Sequence, residues 1–319
     1  IVAIVAAVIS SKGGFTAALD GLARVTDESV STTPGIFASF FGPEPLNLMF
    51  VVILTSLGTW GLPQIVQKFY AIRDEDSIKK GTFISTIFAL IVAGGCYFLG
   101  GFGRLFSDQI NIATGGYDSI IPTMLENLSP ALIALTVILV LSASMSTLSS
   151  LVIASSSTLT IDFIRDIFFK KMRDERQVLI IRVLIVVFIA ISAILALVQY
   201  KSNVTFIAQL MGISWGALAG AFLAPFLYSL YWKRTTKAAC WVSFLFGCIL
   251  MVVDMVVPSV LPAFMQSPIN CGSIAMLAGL ILVPVVSLLT PKPEKKLMEE
   301  IFSCYEKTNV VEQKTALGK

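Results

Sequence analysis

The sequence predicts an all-α protein that crosses a membrane several times. Of its 319 residues, 56% are hydrophobic and only 13% are charged, and the mean hydropathy of +0.85 is far above that of a soluble domain. A hydrocarbon core of about 30 Å requires about 20 apolar residues per helix. Seven segments meet this requirement: 46–71, 81–106, 129–162, 178–199, 203–232, 238–257 and 269–290. Their apolar runs are continuous rather than alternating, which indicates helices and not barrel strands.

The basic residues predict the orientation of these spans. Eleven Lys and Arg residues lie in alternate connections, at 72–80, 163–177 and 233–237. The connections between them hold only three, Lys12, Arg24 and Lys201. The positive-inside rule therefore places the first set and the C-terminal tail in the cytoplasm of a multi-pass plasma (inner) membrane protein. This bias also accounts for the net charge of +3, so the bilayer is an expected partner and nucleic acid is not.

The composition argues against most membrane-embedded hydrolases. The chain has no histidine, which excludes His-based catalytic triads and His metal sites. Five cysteines occur, and those in or beside the spans have no CxxC pairing. We expect them to be small packing residues rather than a disulfide or metal set. These are Cys96, Cys240, Cys248 and Cys271.

The first ten residues are apolar but cover only about half a membrane. No Met or basic segment precedes them, so we expect the end of a cut transmembrane helix and a chain that starts inside a longer protein. Residues 11–45 contain several Gly and Pro residues and predict an external connection.

The span at 46–71 predicts a broken helix. Its centre reads TSLGTWGLP from Thr55 to Pro63, so two glycines and a proline interrupt it near mid-membrane. Backbone freed from helical bonding within a membrane is tolerated where it is buried in protein or lines a cavity. Interrupted spans therefore indicate a substrate site, and the alternative is a simple proline kink.

The segment Leu141–Phe163 is long enough to lie within a membrane, yet it is rich in hydroxyl groups. Helical periodicity places small and hydroxylated residues on one face: Ala143, Ser146, Thr147, Ser150, Ala154 and Ser157. The carbonyl of Ala143 and the hydroxyls of Ser146 and Thr147 form a set that suits a dehydrated sodium ion. Helix packing and bonding to the residue's own helix explain such residues equally well, and the spacing leaves both interpretations open.

Two further features have simpler interpretations. Gly212, Gly216 and Gly220 are spaced as a ridge of small residues, which favours helix packing. Asp254 is the one acid placed deep in a span. Because it lies four residues before Pro258, near the predicted external end, we expect its carboxylate to reach water.

Three segments together resemble the sodium:solute symporters, the group that contains bacterial proline, pantothenate and sugar symporters. SASMSTLSSLVIASSSTLTIDF resembles the eighth core helix of that family, GTWGLPQIVQKFYAI its broken sixth helix, and GALAGAFLAPFLYSLYWKRTTKAA its tenth helix. The likeness covers Ile1 to about Thr290.

The resemblance implies a leucine-transporter-like fold of two inverted five-helix repeats. On this basis the chain contains a cut helix and external loop at 1–45, the second repeat at 46–232, two additional helices at 233–290 and a cytoplasmic tail at 291–319. The first repeat is missing from the sequence.

The resemblance also implies a binding site. The family's second sodium site uses a carbonyl and two hydroxyls at positions matching Ala143, Ser146 and Thr147, with two further carbonyls from the missing first helix. Candidates for the substrate cavity are Thr55, Thr59, Trp60 and Gln64. Proline symporters have Trp and Tyr where this chain has Thr55 and Thr59, which puts proline in doubt and leaves an amino acid, a carboxylate or a sugar.

The function implied is sodium-coupled symport of a small organic solute by alternating access, with no cofactor beyond the coupling ion. The alternatives are a symporter-like membrane sensor domain and an inactive half-transporter fragment.

Overall fold

The computed structural model describes residues 1–28, 30–69, 72, 74–110, 116–126, 128–202 and 207–306, and most of them are helical. The α-helices are α1 (Val2–Ser11), α2 (Phe15–Arg24), α3 (Pro45–Ser56), α4 (Pro63–Phe69), α5 (Glu75–Gly101), α6 (Ile120–Glu126), α7 (Pro130–Thr158), α8 (Asp174–Ser202), α9 (Ile207–Tyr231), α10 (Lys237–Val256), α11 (Pro268–Leu289) and α12 (Lys295–Phe302). A π-helix, Leu159–Phe168, continues α7, and a 3₁₀ turn, Gly58–Gly61, separates α3 from α4.

Within the described residues, six helical segments are long and apolar enough to cross a membrane, which confirms six of the seven predicted spans. They are Glu75–Gly101, Pro130–Phe168, Asp174–Lys201, Gln209–Tyr231, Lys237–Val256 and Pro268–Leu289. The remaining predicted span, 46–71, is divided between α3 and α4.

Helix boundaries follow local capping signals that hydropathy does not detect. The carboxylate of Asp74 accepts a hydrogen bond from the Ser77 backbone N–H at 2.7 Å, so α5 begins at Glu75, six residues before the predicted apolar run. Thr236 caps α10 in the same way, through the N–H of Ala239 at 3.3 Å. Prolines occupy the first turn of α3, α7 and α11, where their missing N–H costs nothing.

Residues 11–45 are more structured than expected. Gly13 and Gly14 have φ angles of +85° and +99°, which suit glycine and separate α1 from α2. The following decapeptide then forms α2, because Ala18 and Leu22 lie one turn apart and are both buried. The predicted connection therefore contains a helix of ten residues.

The chain forms two compact units, and each is described by itself. The first unit comprises 1–2, 13–105 and 207–319, and the second comprises 3–12 and 106–206.

The first unit has its core where α9, α10 and α11 pack together. Leu54, Ala219, Leu223 and Met276 form one buried apolar cluster there. A side chain at Gly216 would place its Cβ 2.7 Å from the Cα of Gly272. This approach of α9 to α11 confirms the prediction that the glycines of α9 serve helix packing.

The second unit is thinly packed. Its long helices α7 and α8 keep almost their whole apolar surface exposed. Val152 and Ser156 are the buried residues of α7, and Thr160 is buried in the π-helix that follows. Most residues of the hydroxyl-rich helix α7 are therefore exposed on the surface of the described chain.

Candidate functional site

The middle of α7 contains the predicted cation ligands. Ala143, Ser146 and Thr147 occupy positions i, i+3 and i+4 of a continuous α-helix, so they share one face. All three are exposed within the described part of the chain. The arrangement has the periodicity that the sequence predicts.

Hydrogen bonding divides the hydroxyls of α7 into two groups. The hydroxyl of Ser149 donates to the Met145 carbonyl at 2.8 Å, and that of Ser150 donates to the Thr147 carbonyl at 2.8 Å. Among the described residues, the hydroxyls of Ser146 and Thr147 have no hydrogen-bond partner, and those of Ser142 and Ser144 have none either. Bonding to their own helix, one of the alternatives left open by the sequence, therefore does not explain Ser146 and Thr147.

The chemistry of this face suits a small hard cation. Two hydroxyl oxygens are free to act as ligands, and a helical carbonyl such as that of Ala143 retains a second lone pair after accepting its helix bond. Three neutral oxygens do not complete the coordination shell of an alkali-metal ion, so an ion bound to this face would need further ligands from another segment.

The opposite face of the same helix contains two residues that the sequence reasoning did not identify. Ser156 and Thr160 are fully buried, and their hydroxyls have no partner in the described part of the protein. Ser156 follows Thr147 by nine residues, a rotation of about 180° at 3.6 residues per turn. The i, i+4, i+8 series formed with Val152 is the signal that would have identified this buried stripe.

The predicted interruption of the span at 46–71 is present. Helix α3 ends at Ser56, the 3₁₀ turn Gly58–Gly61 follows, Leu62 is extended at φ −86° and ψ 114°, and α4 then begins at Pro63. A simple proline kink would leave one continuous helix, bent where one hydrogen bond is missing. The structure instead contains two short helices joined by a different backbone conformation.

The four predicted cavity residues lie along this interrupted segment, in the first unit. The hydroxyl of Thr55 donates to the Val51 carbonyl at 2.8 Å, and that of Thr59 donates to the Ser56 carbonyl at 2.9 Å. Both threonines thus have their protons committed and offer only oxygen lone pairs to a ligand. The Trp60 side chain is 61% exposed, and Gln64 is half-buried.

Glycine allows the interrupted segment to lie directly on α9. A Cβ at Gly61 would be 2.9 Å from the Cα of Ala219 and from the Cβ of Leu223, closer than real contacts allow. A Cβ at Gly58 would be 3.7 Å from the Met276 sulfur, an ordinary contact. Gly61 is therefore the position at which the interrupted segment requires glycine.

Two polar side chains of α11 hold the first half of the broken helix. The Asn270 amide donates to the Asn47 side-chain oxygen at 2.7 Å, and the Ser273 hydroxyl donates to the Phe50 carbonyl at 2.7 Å. Both donors are buried. Sequence reasoning missed them, because partners separated by 223 positions leave no local pattern.

The expectation for Asp254 is wrong. Its side chain is only 4% exposed, and neither carboxylate oxygen has a hydrogen-bond partner in the described part of the chain. The helix ends two residues later, at Val256, but Asp254 lies on the face that contains Met251 and Gly247 and that packs inward. Distance from the helix end did not decide burial; the helix face did.

Comparison with known proteins connects these features to a family. The model of the Sodium:solute symporter family matches residues 1–247. The osmoregulated proline transporter of Bacillus subtilis (strain 168) is 26% identical over 284 residues, 86% of this chain and 54% of that protein. A sodium/pantothenate symporter of Haemophilus influenzae is 24% identical over 248 residues, 75% of this chain and 47% of that protein.

A third relative has a different named solute. The monocarboxylic acid transporter of Corynebacterium glutamicum is 23% identical over 242 residues, 73% of this chain and 41% of that protein. The chain spans about half the length of the curated relatives that it matches. These relatives are transporters and not enzymes, in agreement with the prediction of a symporter. With its six candidate spans the chain is a multi-pass membrane protein, and it belongs to the sodium:solute symporter family.

Proposed function

We propose that this chain is part of a transporter that couples sodium entry to the uptake of a small organic solute by alternating access. The observation that carries the proposal is that two unpartnered hydroxyls, those of Ser146 and Thr147, share a helix face with Ala143, in a chain that the family model matches over residues 1–247. The partners are sodium, the solute and the bilayer of the plasma (inner) membrane. The basic connections support a cytoplasmic C-terminus.

The proposed sodium ligands are the Ala143 carbonyl and the hydroxyls of Ser146 and Thr147. Support comes from their shared helix face and from the contrast with Ser149, whose hydroxyl is bonded within the helix. The family resemblance assigns two further carbonyls to a broken first helix. This assignment corresponds to the proposed leucine-transporter-like fold, in which the described helices belong to the second inverted repeat and to two additional spans.

The proposed solute contact is the interrupted segment that contains Thr55, Thr59, Trp60 and Gln64. A non-helical backbone at membrane depth is typical of binding sites in secondary transporters. The relatives are named for proline, pantothenate and monocarboxylic acids, and all three solutes carry a carboxylate. A screen for the solute of this protein therefore starts with small carboxylates and then extends to sugars.

Sodium entry provides enough free energy for accumulation. One elementary charge that moves inward across 100 mV releases about 2.3 kcal/mol, which corresponds to a concentration ratio of about fifty. The sodium gradient adds to this value.

The test is the sodium dependence of solute uptake by the complete gene product in proteoliposomes. Ser146→Ala or Thr147→Ala should raise the sodium concentration for half-maximal uptake about tenfold or more, because an interaction with a charged partner contributes about 1.5–3 kcal/mol. Ser149→Ala is the matched control, because its hydroxyl is already bonded to the Met145 carbonyl, and it should behave as wild type. If Ser146→Ala and Thr147→Ala leave the sodium dependence unchanged, the site assignment is wrong.

A further inference from the structure

An apolar groove lies between α9 and α10, at the basic end of α10. Its volume is about 270 Å³. Helix α9 lines it with Phe222 and Pro225, and α10 lines it with Lys237, Cys240, Trp241 and Phe244. The α10 residues occupy positions i, i+3, i+4 and i+7, so the groove follows the helix for about 10 Å at 1.5 Å per residue.

Aromatic rings form the wall of the groove. The Phe222 and Phe244 rings meet edge to face with centroids 5.4 Å apart, and the Trp241 and Phe244 rings do the same at 5.8 Å. Trp241 is 55% exposed, so the groove opens away from the core of its unit. Such a wall can hold a hydrocarbon chain but offers almost nothing to a polar ligand.

One basic residue, Lys237, lines the groove; it is the first residue of α10 and is exposed. Two other basic residues of the same connection are engaged elsewhere. Arg234 donates to the Leu288 carbonyl at 3.2 Å, and the Lys233 ammonium lies 5.3 Å from the centre of the Phe302 ring. Within the described residues, Lys237 forms no ion pair. Its charge is therefore available to an anion at the end of the groove where α10 begins.

The position of the groove identifies the environment of its occupant. Both helices that line it are candidate membrane spans, and Lys237 is the first residue of the span Lys237–Val256. The aromatic wall thus lies at hydrocarbon depth and the ammonium at the level of the headgroups. An apolar polypeptide segment would cover the wall but would leave the ammonium unpaired.

We propose that this groove is a binding site for an anionic phospholipid, with one acyl chain along the aromatic wall and the headgroup phosphate at Lys237. The apolar wall suits the acyl chain of such a lipid, and the basic residue at its end suits the phosphate. Basic residues at the ends of spans are a recurrent means of recognising anionic headgroups. The proposal concerns the α9–α10 surface alone and does not depend on sodium coupling.

The test is fluorescence quenching by phospholipids brominated on the acyl chain. The complete gene product is placed in nanodiscs that contain increasing fractions of brominated phosphatidylglycerol or brominated phosphatidylcholine. The signal of Trp241 is obtained as the difference between the wild type and Trp241→Phe. We expect half-maximal quenching at an about fivefold lower fraction of phosphatidylglycerol, since one lysine near the surface contributes about 1 kcal/mol.

Variants of the lysine separate charge recognition from general lipid contact. Lys237→Gln should remove the fivefold preference, and Lys237→Arg should retain it. Lys80→Gln changes an exposed lysine of α5 and should leave the preference unchanged.

Equal quenching by both lipids in the wild type would reduce the groove to ordinary lipid contact, and that comparison requires no lysine variant. Absence of quenching by either lipid would show that protein covers the groove. Relief of quenching by inorganic phosphate would show that a free anion, not the lipid, is recognised. Each of these three results overturns the proposal.

Discussion

The broken helix packs closely at Gly61 because glycine has no Cβ atom there. At Gly61 the backbone of the interrupted segment lies against the backbone of α9, and a methyl group would overlap the Cα of Ala219. Backbone atoms cannot move aside as a side chain can. The position of this segment therefore depends on a single residue type.

Replacing Gly61 by Ala should destabilise the folded protein by about 1–3 kcal/mol, the usual cost of overpacking. Gly58→Ala is the matched control, because its Cβ would lie 3.7 Å from the Met276 sulfur at ordinary contact distance. Thermal unfolding of the complete gene product in detergent measures both variants. Equal melting temperatures would show that the segment lies elsewhere.

Asp254 is expected to weaken the protein that contains it. A buried polar group without a hydrogen bond costs about 1–3 kcal/mol, and more if it is charged, and both oxygens of Asp254 are unpartnered among the described residues. Asp254→Asn keeps a polar side chain of the same shape but removes the charge, so it should raise the free energy of unfolding by about 1 kcal/mol or more. Asp20→Asn, at an exposed acid of α2, should have little effect. A loss of stability in Asp254→Asn would show that the carboxylate is paired in the complete protein.

For single residues, the sequence predicted which side chains share a helix face but not which of them form hydrogen bonds. Helical periodicity correctly grouped Ser146 with Thr147, because spacing alone determines which residues share a face. It did not show that Ser149 and Ser150 bond within the helix while Ser146 and Thr147 do not. That difference depends on side-chain rotamers, which a single sequence does not specify.

At the scale of elements, α11 anchors the first half of the broken helix. The side chains of Asn270 and Ser273 reach Asn47 and the Phe50 carbonyl, each at 2.7 Å. They lie one turn apart on α11 and attach to residues one turn apart on α3. Two polar contacts at matching spacing fix the position of α3 along α11.

Hydrogen exchange should detect this attachment. Asn270→Ala removes one of the two contacts, at a cost of about 1 kcal/mol, so amide exchange in Pro45–Ser56 should become about fivefold faster. In the control Gln266→Ala, the lost bond is a local one to the Leu261 carbonyl at 3.0 Å, and exchange in α3 should stay the same. Mass spectrometry of the peptide that covers α3 gives the comparison. Unchanged exchange in Asn270→Ala would mean that the apolar contacts alone hold α3.

Span number was predictable because the thickness of the bilayer sets the length of apolar sequence that a helix needs. Span ends were less predictable, because a polar cap such as Asp74 starts a helix before its apolar run begins. Helix α2 was missed because a short helix with two buried residues leaves a weak signal among glycines. The hydrogen bonds from Asn270 and Ser273 of α11 to α3 were not predictable, since they join distant parts of the chain.

At the scale of the molecule, burial is unevenly distributed. Buried residues make up 39% of the apolar window of Gln209–Tyr231 and the same share of that of Pro268–Leu289, but only 0–6% of the windows of α5, α7 and α8. The helices α9 and α11 are thus stabilised within their unit. The other three need an apolar environment over almost their entire surface.

The basic connections predict the side of the membrane on which each loop lies. After replacement of the five native cysteines by serine, a single cysteine at Ser259 should react with a membrane-impermeant maleimide added to intact cells. A cysteine at Lys171 should react only after the membrane is opened. Both residues are exposed. The reverse labelling pattern would invert the topology and would move Ser146 and Thr147 to the opposite orientation.

The backbone contact between Gly216 and Gly272 has a consequence for the interpretation of other sequences. Every substitution of glycine adds at least a methyl group, so this contact admits no conservative replacement on either helix. A change at one position cannot be compensated at the other, because glycine has no smaller alternative. The residues at these two positions, 56 apart in the chain, can therefore be inspected in any related sequence before its structure is known. A relative with a bulky residue at either position must pack these two helices differently.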